Sequence, residues 1–131
     1  MIDALDGVPL VHRQVVVPTT GTPSGALALH VVEAGPPDGT PVVLLHGFPD
    51  FWYGWRHQIP ALARAGYRVI TYDQRGYASS EHPPGSAAYA MPHLLADLDG
   101  LVATLGITGT FHLAGHDWGG GVAWASATDP Q

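Results

Sequence analysis

The sequence contains no cysteine and no lysine among its 131 residues. Without a thiol there is neither a disulfide framework nor a thiolate metal site, and the composition suits a reducing compartment. The permanently charged cations are five arginines, which face eleven acidic residues, so the formal net charge is −6 at pH 7. A charge of that sign does not favour binding to a nucleic-acid backbone or to an anionic membrane, and we expect neither as a partner.

Long hydrophobic runs are also missing. The first twelve residues, MIDALDGVPLVH, carry two acids and no extended apolar segment, which is typical of neither a signal peptide nor a membrane span. We therefore expect a soluble, cytoplasmic protein. Hydrophobic residues nevertheless make up 46% of the chain, enough for one globular core. Since no repeat and no linker is visible, we interpret residues 1–131 as one domain.

The pattern of apolar residues predicts alternating strands and helices. Short runs rich in β-branched or aromatic residues and bounded by Gly, Pro or Asp predict strands at residues 13–18, 27–35, 41–47, 67–73 and 110–115. Helical spacing predicts helices at residues 59–66, at residues 91–106 and from about Trp118 onwards. Because helices follow strands along the chain, we expect an α/β fold with a mostly parallel sheet flanked by helices.

The composition of three runs predicts how deeply each strand is buried. Residues 42–45 and 69–72 are apolar at nearly every position, as in central strands that are covered on both faces. Residues 27–33 alternate between apolar and polar side chains, which predicts a strand with one exposed face. At the end of the helix over residues 91–106, Gly106 is a candidate terminating residue.

A tight turn between the last strand and its helix carries an aspartate. In the segment GHDWG, Gly115 lies two positions before Asp117 and Gly119 lies two positions after it. Such a turn presents one side chain at the carboxyl end of a strand, and a Cβ at either glycine would crowd it. Asp117 is therefore a candidate nucleophile. The alternative is an ordinary helix N-cap, because aspartate is a preferred residue there.

The segment HGFPD, residues 46–50, directly follows the apolar run 42–45. In hydrolases that use a nucleophile on such a turn, one oxyanion donor is the backbone N–H of the next residue. The other comes from the loop after the third strand. Those positions are Trp118 and Phe48. The alternative for HGFPD is a generic Gly-Pro turn.

Three segments together resemble the epoxide hydrolases of the α/β-hydrolase superfamily. They are HGFPD, WRHQIPALARAGYRVITYDQRGYASS at residues 55–80 and AGHDWGG at residues 114–120, and the resemblance extends over about residues 27–130. It implies the N-terminal part of that fold, ending after the helix that follows the nucleophile. It also implies that Trp52 lines the substrate cavity, with core packing as the alternative. The motif residues with structural roles are His46, Gly47, Pro49, Gly115, His116 and Gly119.

The same resemblance implies a two-step reaction on a small apolar epoxide. Asp117 is ionised at neutral pH and can attack an alkyl carbon without a base, forming an alkyl-enzyme ester. A water activated by histidine then hydrolyses that ester, and no cofactor is needed. The resemblance places this histidine, its orienting acid and the proton-donating tyrosines of a cap beyond residue 131. We therefore expect the 131-residue chain alone to be inactive. We also expect it to be poorly stable, because the resemblance implies that later strands pair with the strand before Asp117, which is otherwise an unpaired apolar edge.

Two other functions stay open at this point. Haloalkane and haloacid dehalogenases share the aspartate nucleophile and the ester intermediate, and a non-catalytic binding protein can keep the same fold. A metal site is not expected, because the His112 and His116 pair crosses a strand-to-turn junction and lacks a common helical face. The oligomeric state is not predicted.

The segment DQRGYASS, residues 73–80, departs from the family pattern at one position. Ala78 stands where the epoxide hydrolases usually have a second glycine. If the backbone there has a positive φ, we expect the alanine to cost about 1 kcal/mol of stability.

Overall fold

The structure is a computed structural model that describes residues 2–128. Its strands are β1 (Ala4–Leu5), β2 (Val8–Pro9), β3 (Val11–Pro18), β4 (Ala26–Ala34), β5 (Pro41–Leu45), β6 (Arg68–Tyr72) and β7 (His112–Gly115). Its α-helices are α1 (Gln58–Arg64), α2 (Met91–Thr104) and α3 (Trp118–Thr128), and 3-10 turns lie at Trp52–Trp55 and Ser86–Tyr89. All five predicted strands and three predicted helices occur. The β1–β2 hairpin and the 3-10 turns were not predicted.

The five longer strands form one sheet in the order β3–β4–β6–β5–β7. β5 pairs in parallel with both β6 and β7, whereas β4 pairs antiparallel with β3 and β6. Only β4 therefore runs against the other four strands, and the expected α/β fold is confirmed. β5 and β6 are interior strands, as predicted. Because β5, β6 and β7 are parallel, their carboxyl ends meet at one end of the sheet, where α/β proteins place ligand sites.

Two apolar cores cover the two faces of this sheet. Val43 and Leu45 of β5 belong to the core under α2 and α3, together with Leu98 and Leu101 of α2. The alternate β5 residues, Val42 and Leu44, belong to the core under α1, together with Ile59 and Ala63. Since successive residues of a strand point to opposite faces, β5 must be apolar throughout, and this explains its composition.

The end of α2 matches the prediction from Gly106. Gly106 has a φ of 73°, which glycine adopts without a steric penalty. Its amide donates to the carbonyl oxygen of Ala103 at 3.1 Å, and the amide of Ile107 donates to that of Val102 at 3.1 Å. This pair of hydrogen bonds is the Schellman arrangement that ends a helix.

The prediction of an exposed face on β4 is wrong. His30, one of the polar residues in the alternating run, is only 6% exposed. Its Nδ1 lies 2.7 Å from Oδ2 of Asp73, which follows β6 and is itself fully buried. The alternation therefore reflects a buried hydrogen-bonded pair between neighbouring strands, because a buried polar group needs a partner.

A buried ion pair joins three segments on the α2 side. Arg75 is 1% exposed and donates to Asp97 twice, from Nε to Oδ2 at 2.8 Å and from Nη2 to Oδ1 at 2.6 Å. Its remaining N–H groups reach the carbonyl oxygens of Ala88 at 2.7 Å and Thr20 at 2.9 Å. The hydroxyl of Thr19 also donates to Asp97 at 2.6 Å. The pair thus fixes the loop after β6 to α2 and to the loop after β3.

Ala78 has a φ of 43°, in the left-handed region that favours glycine. We therefore expect Ala78→Gly to raise the free energy of unfolding by up to about 1 kcal/mol, because it removes the steric penalty of the Cβ. The measurement is urea denaturation. The control is Ala61→Gly on the exposed side of α1, which should lower stability by about 1 kcal/mol. Equal losses of stability at both positions would contradict a steric penalty at Ala78.

Candidate active site

Asp117 stands at the junction between β7 and α3, at the carboxyl end of the parallel strands. It has a φ of 56°, unusual for a residue with a side chain, and its side chain is exposed to solvent. The amide of His116 donates to the carbonyl oxygen of Leu45 at 3.1 Å, which ties the turn to the end of β5. Backbone strain of this kind persists where the surroundings hold it, and it is frequent at functional sites.

Three glycines allow the close approach of the segments around Asp117. A Cβ at Gly115 would lie 2.2 Å from the carbonyl oxygen of Gly119, and one at Gly119 would lie 2.1 Å from that of Leu45. A Cβ at Gly47 would lie 2.5 Å from the Cβ of Asp117. Each distance is far below van der Waals contact, so no larger residue fits without moving the backbone.

The carboxylate of Asp117 contacts the HGFPD loop. The backbone N–H of Phe48, 69 positions earlier in the chain, donates to Oδ2 of Asp117 at 2.9 Å. The amides of Phe48 and then Trp118 hold the pKa of Asp117 below its ordinary value. An N-cap side chain accepts the amide of the second or third helical residue, here Gly119 or Gly120, but the amide of Gly119 donates to the carbonyl oxygen of His116 at 2.9 Å. The hydrogen bonding therefore does not favour the N-cap alternative.

His46 fixes the HGFPD loop to the loop after β6. It is 1% exposed, and its Nδ1 lies 2.9 Å from the carbonyl oxygen of Gly47, while Nε2 accepts the amide of Gln74 at 2.9 Å. The side-chain amide of Gln74 donates back to the carbonyl oxygen of His46 at 2.7 Å. With one ring nitrogen donating and the other accepting, His46 is neutral. Burial lowers its pKa below the ordinary value.

A neutral, buried His46 makes the fold sensitive to acid. Its folded-state pKa lies below 6.5, so the unfolded chain binds the proton more readily. The stability that neutral His46 contributes is complete above about pH 6.5 and is lost as the pH falls below that value. Between about pH 7 and about pH 5, the free energy of unfolding of His46→Gln should therefore fall less than that of the parent. Urea denaturation at each pH measures it. The control, His57→Gln at an exposed position, should keep the parental pH dependence; parallel curves for all three proteins would contradict this role.

Exposed aromatic side chains surround Asp117. Phe48 is 65% exposed and Trp118 is 56% exposed, and Pro49, joined to Phe48 by a cis peptide bond, is exposed as well. Beside them lies a small cleft of about 130 Å³, lined by Gln74, Arg75, Tyr77, Tyr89, Leu94 and Trp118. Burial, and then the charge of Asp117, raise the pKa of Tyr77. The apolar surface at this end of the sheet therefore lies next to the carboxylate.

The two tyrosines of this cleft were not singled out from the sequence. Tyr77 belongs to the DQRGYASS motif, and its ring stands edge-on to that of His46 with the centroids 4.8 Å apart. Tyr89 comes from a 3-10 turn that has no periodic pattern, and its hydroxyl donates to the carbonyl oxygen of Pro83 at 2.7 Å. Only the motif around Tyr77 could have identified either residue.

Trp52 requires a correction. The structure places its side chain in the core under α1, only 5% exposed, which is the packing alternative rather than a position in the substrate cavity. Its backbone amide donates to Oδ1 of Asp73 at 3.0 Å, so the 3-10 turn that it begins is fixed to the end of β6. A large aromatic is buried here because a turn after the HGFPD loop folds back over the sheet.

Two further features concern the whole described part of the chain. Within residues 2–128 there is no group of three or more His, Cys, Asp or Glu side chains that is placed to hold a metal ion. None of the helices in that range has the length and apolarity that crossing a bilayer requires.

Comparison with known proteins identifies the family. Residues 40–130 match the alpha/beta hydrolase fold. Epoxide hydrolase B of Mycobacterium tuberculosis is 52% identical over 101 residues, which cover 76% of this chain and 28% of that protein. The AB hydrolase superfamily protein YfhM of Bacillus subtilis is 49% identical over 109 residues, 82% of this chain and 38% of that protein. The crystal structure of an epoxide hydrolase from Vigna radiata superimposes with a TM-score of 0.79 at 42% identity, over 89% of this chain and 33% of that one.

The chain thus spans about a third of the length of the relatives that it matches, 28% of one and 38% of another. The predicted resemblance to the N-terminal part of epoxide hydrolases is confirmed. The agreement of fold, motifs and sequence identity leads to one conclusion: the chain belongs to the α/β-hydrolase family.

Proposed function

We propose that this chain carries the nucleophile of an epoxide hydrolase and that Asp117 forms an alkyl-enzyme ester with the substrate. The observation that carries the proposal is the 2.9 Å hydrogen bond from the backbone N–H of Phe48 to Oδ2 of Asp117. It aims a fixed donor at one oxygen of an exposed carboxylate. The names of the relatives supply the substrate class, since Epoxide hydrolase B is similar to this chain over 101 residues.

The hydrogen bond supports a different role for each carboxylate oxygen in the first step. Oδ2 stays with the Phe48 amide, and Oδ1 attacks a ring carbon of the epoxide. The bond from that carbon to the ring oxygen breaks, and this oxygen takes a proton from an acid outside this chain. Because the flanking amides lower the pKa of Asp117, the nucleophile is ionised without a base.

The second step hydrolyses the ester at Cγ of Asp117. Attack by water places negative charge on Oδ2, which already accepts the amide of Phe48, and the amide of Trp118 also acts on this carboxyl group. A donor of this kind is worth about 3–4 kcal/mol in other hydrolases. Collapse of the tetrahedral intermediate releases the diol and restores the carboxylate. We propose that the histidine activating this water also lies outside residues 1–131, so that the chain by itself does not turn over.

Small apolar epoxides suit the surroundings of Asp117. Two exposed aromatic side chains, Phe48 and Trp118, flank the carboxylate, and the adjacent cleft holds about 130 Å³. Aromatic and aliphatic surface next to a single charged nucleophile favours a compact apolar substrate over a charged one. Styrene oxide is a suitable probe because it joins a strained ring to an apolar body.

The test is a hybrid protein in which this chain replaces the matching segment of the Mycobacterium tuberculosis Epoxide hydrolase B. We expect the hybrid to convert styrene oxide to the diol, and mass spectrometry of quenched reactions to find the ester on a peptide that contains Asp117. Unmodified Epoxide hydrolase B is the positive control. Release of bromide from 1-bromobutane without any diol from the epoxide would instead identify a dehalogenase. Tight binding without an ester would identify a binding protein.

A further inference from the structure

A second pocket lies at the opposite end of the sheet from Asp117. It has a volume of about 570 Å³, and residues from β2, β3, α1 and the ends of β4 and β6 line it. Arg68 is the first residue of β6, so the pocket adjoins the amino end of the parallel strands. Asp117 follows the carboxyl end of β7. The two sites are therefore separated by the length of the sheet.

Three arginines line this pocket, which we call the arginine pocket. Arg13, Arg64 and Arg68 are three of its lining residues, and the chain has only five arginines and no lysine. One acid, Glu33, also lines it. The arginine pocket therefore holds an excess of two positive charges in a chain whose net charge is −6. Three of the five arginines of an acidic chain therefore lie around one pocket.

The contacts inside the pocket leave the excess charge uncompensated. Arg68 donates from Nε to Oε1 of Glu33 at 2.8 Å, and Arg13 pairs with the other oxygen of the same carboxylate. Arg64 instead donates to the backbone carbonyl oxygen of Asp6, a neutral acceptor. Glu33 and Arg68 are only 14% and 18% exposed, so solvent screens them weakly. The Arg13 side chain is 47% exposed and Arg64 is exposed as well, so an anion from solvent can reach both guanidinium groups.

Between the arginines the pocket is apolar. Its apolar lining residues include Val8 of β2, Val11 of β3 and Ala63 of α1. A volume of about 570 Å³ falls in the range of about 300–1,000 Å³ that is typical of small-molecule sites. An apolar chamber with a few convergent polar groups selects a ligand that has an apolar body and one charged end. Guanidinium groups match the geometry of carboxylate and phosphate oxygens.

We propose that the arginine pocket binds an organic anion, in which a carboxylate or a phosphate monoester is carried on an apolar body. The anionic end contacts Arg64 and Arg13, and the apolar body lies against Val8, Val11 and Ala63. The site is separate from Asp117, and the proposal does not rest on the proposed reaction. It stands even for a chain that has no hydrolase activity.

The experiment is a calorimetric titration of the hybrid protein with four probes. Octyl phosphate and octanoate have both an anionic end and an apolar body. Inorganic phosphate has only the charge, and octanol has only the apolar body. We expect octyl phosphate and octanoate to bind at least about tenfold more tightly than either of the other probes, because octanol lacks the charge-assisted hydrogen bonds and inorganic phosphate lacks the apolar contacts. Their affinity should fall as the salt concentration rises. Equal affinity for octanol, or for inorganic phosphate alone, would overturn the proposal.

Two charge-matched variants locate the site. Arg64→Gln should weaken the binding of octyl phosphate by about tenfold or more. Arg56→Gln removes the same charge from a residue that stacks on Tyr53, 5.1 Å from its ring centroid, outside the pocket lining, and should leave the affinity within about twofold of the parent. Circular dichroism checks that both variants fold, and Arg13→Gln replaces Arg64→Gln if that variant does not. Equal weakening by the two changes, or none by either, would overturn the assignment.

Discussion

Replacing Asp117 with asparagine is expected to lower kcat for diol formation in the hybrid protein by about 10⁴-fold or more, as the loss of a nucleophile does in other hydrolases. The carboxamide has nearly the same shape, and its oxygen can still accept the amide of Phe48, which now donates to Oδ2 at 2.9 Å. What is lost is the negative charge that attacks the ring carbon. Diol measured by chromatography under saturating styrene oxide gives kcat directly.

The control for this prediction is Asp50→Asn, the same chemical change in the HGFPD motif. Asp50 accepts the amide of Phe51 through Oδ1 at 2.9 Å, and asparagine keeps that acceptor. We expect kcat to stay within about tenfold of the parent, since Asp50 has no part in the proposed chemistry. Turnover by Asp117→Asn at a rate similar to that of Asp50→Asn would exclude Asp117 as the nucleophile. An ester on another carboxylate would do the same.

Asp97→Asn is expected to lower the free energy of unfolding by about 3–5 kcal/mol. Arg75 is 1% exposed, and its two hydrogen bonds to Asp97 supply the only carboxylate that it contacts within residues 2–128. Removing that charge leaves a buried guanidinium without a counter-ion. Because domains of this size are stable by only about 5–15 kcal/mol, the loss removes a large share of the total. The measurement is urea denaturation of the hybrid protein.

Asp99→Asn on the same helix is the matched control. Asp99 is exposed, so the same change should alter stability by no more than about 0.5 kcal/mol. A double variant, Arg75→Met with Asp97→Leu, should recover part of the loss because it removes both buried charges together. A loss below about 1 kcal/mol for Asp97→Asn would show that the pair is not the anchor between α2 and the loop after β6.

The elements that could be predicted from the sequence are those with their own local pattern. β5 and β6 carry continuous apolar runs because both of their faces are covered, and α2 carries an apolar stripe with Gly106 at its end. The β1–β2 hairpin was missed because strands of two residues have no period. Its turn did carry a signal, since Asp6 and Gly7 both have positive φ and Asp-Gly favours such hairpins.

Some features of the candidate site could also be predicted from local sequence patterns, and others could not. The positions of Asp117 and Phe48 could be predicted because each directly follows a recognisable strand, and parallel strands bring their carboxyl ends together. The burial of His30 could not, because it depends on a partner far away in the chain, and the sequence left the burial of Trp52 as one of two alternatives. His30 contacts Asp73 across 43 positions, and Arg75 contacts Asp97 across 22. A single sequence contains no record of such pairings.

The tie between the turn at Asp117 and the end of β5 has an evolutionary consequence. The amide of His116 donates to the carbonyl oxygen of Leu45, and a Cβ at Gly47 would lie 2.5 Å from that of Asp117, so the turn at Asp117 packs directly against the HGFPD loop. On the proposed mechanism, the nucleophile and its oxyanion donors are set within this third of the fold, and the histidine that activates water lies outside it. Mutations elsewhere can then reshape substrate preference while the geometry around the nucleophile is inherited unchanged.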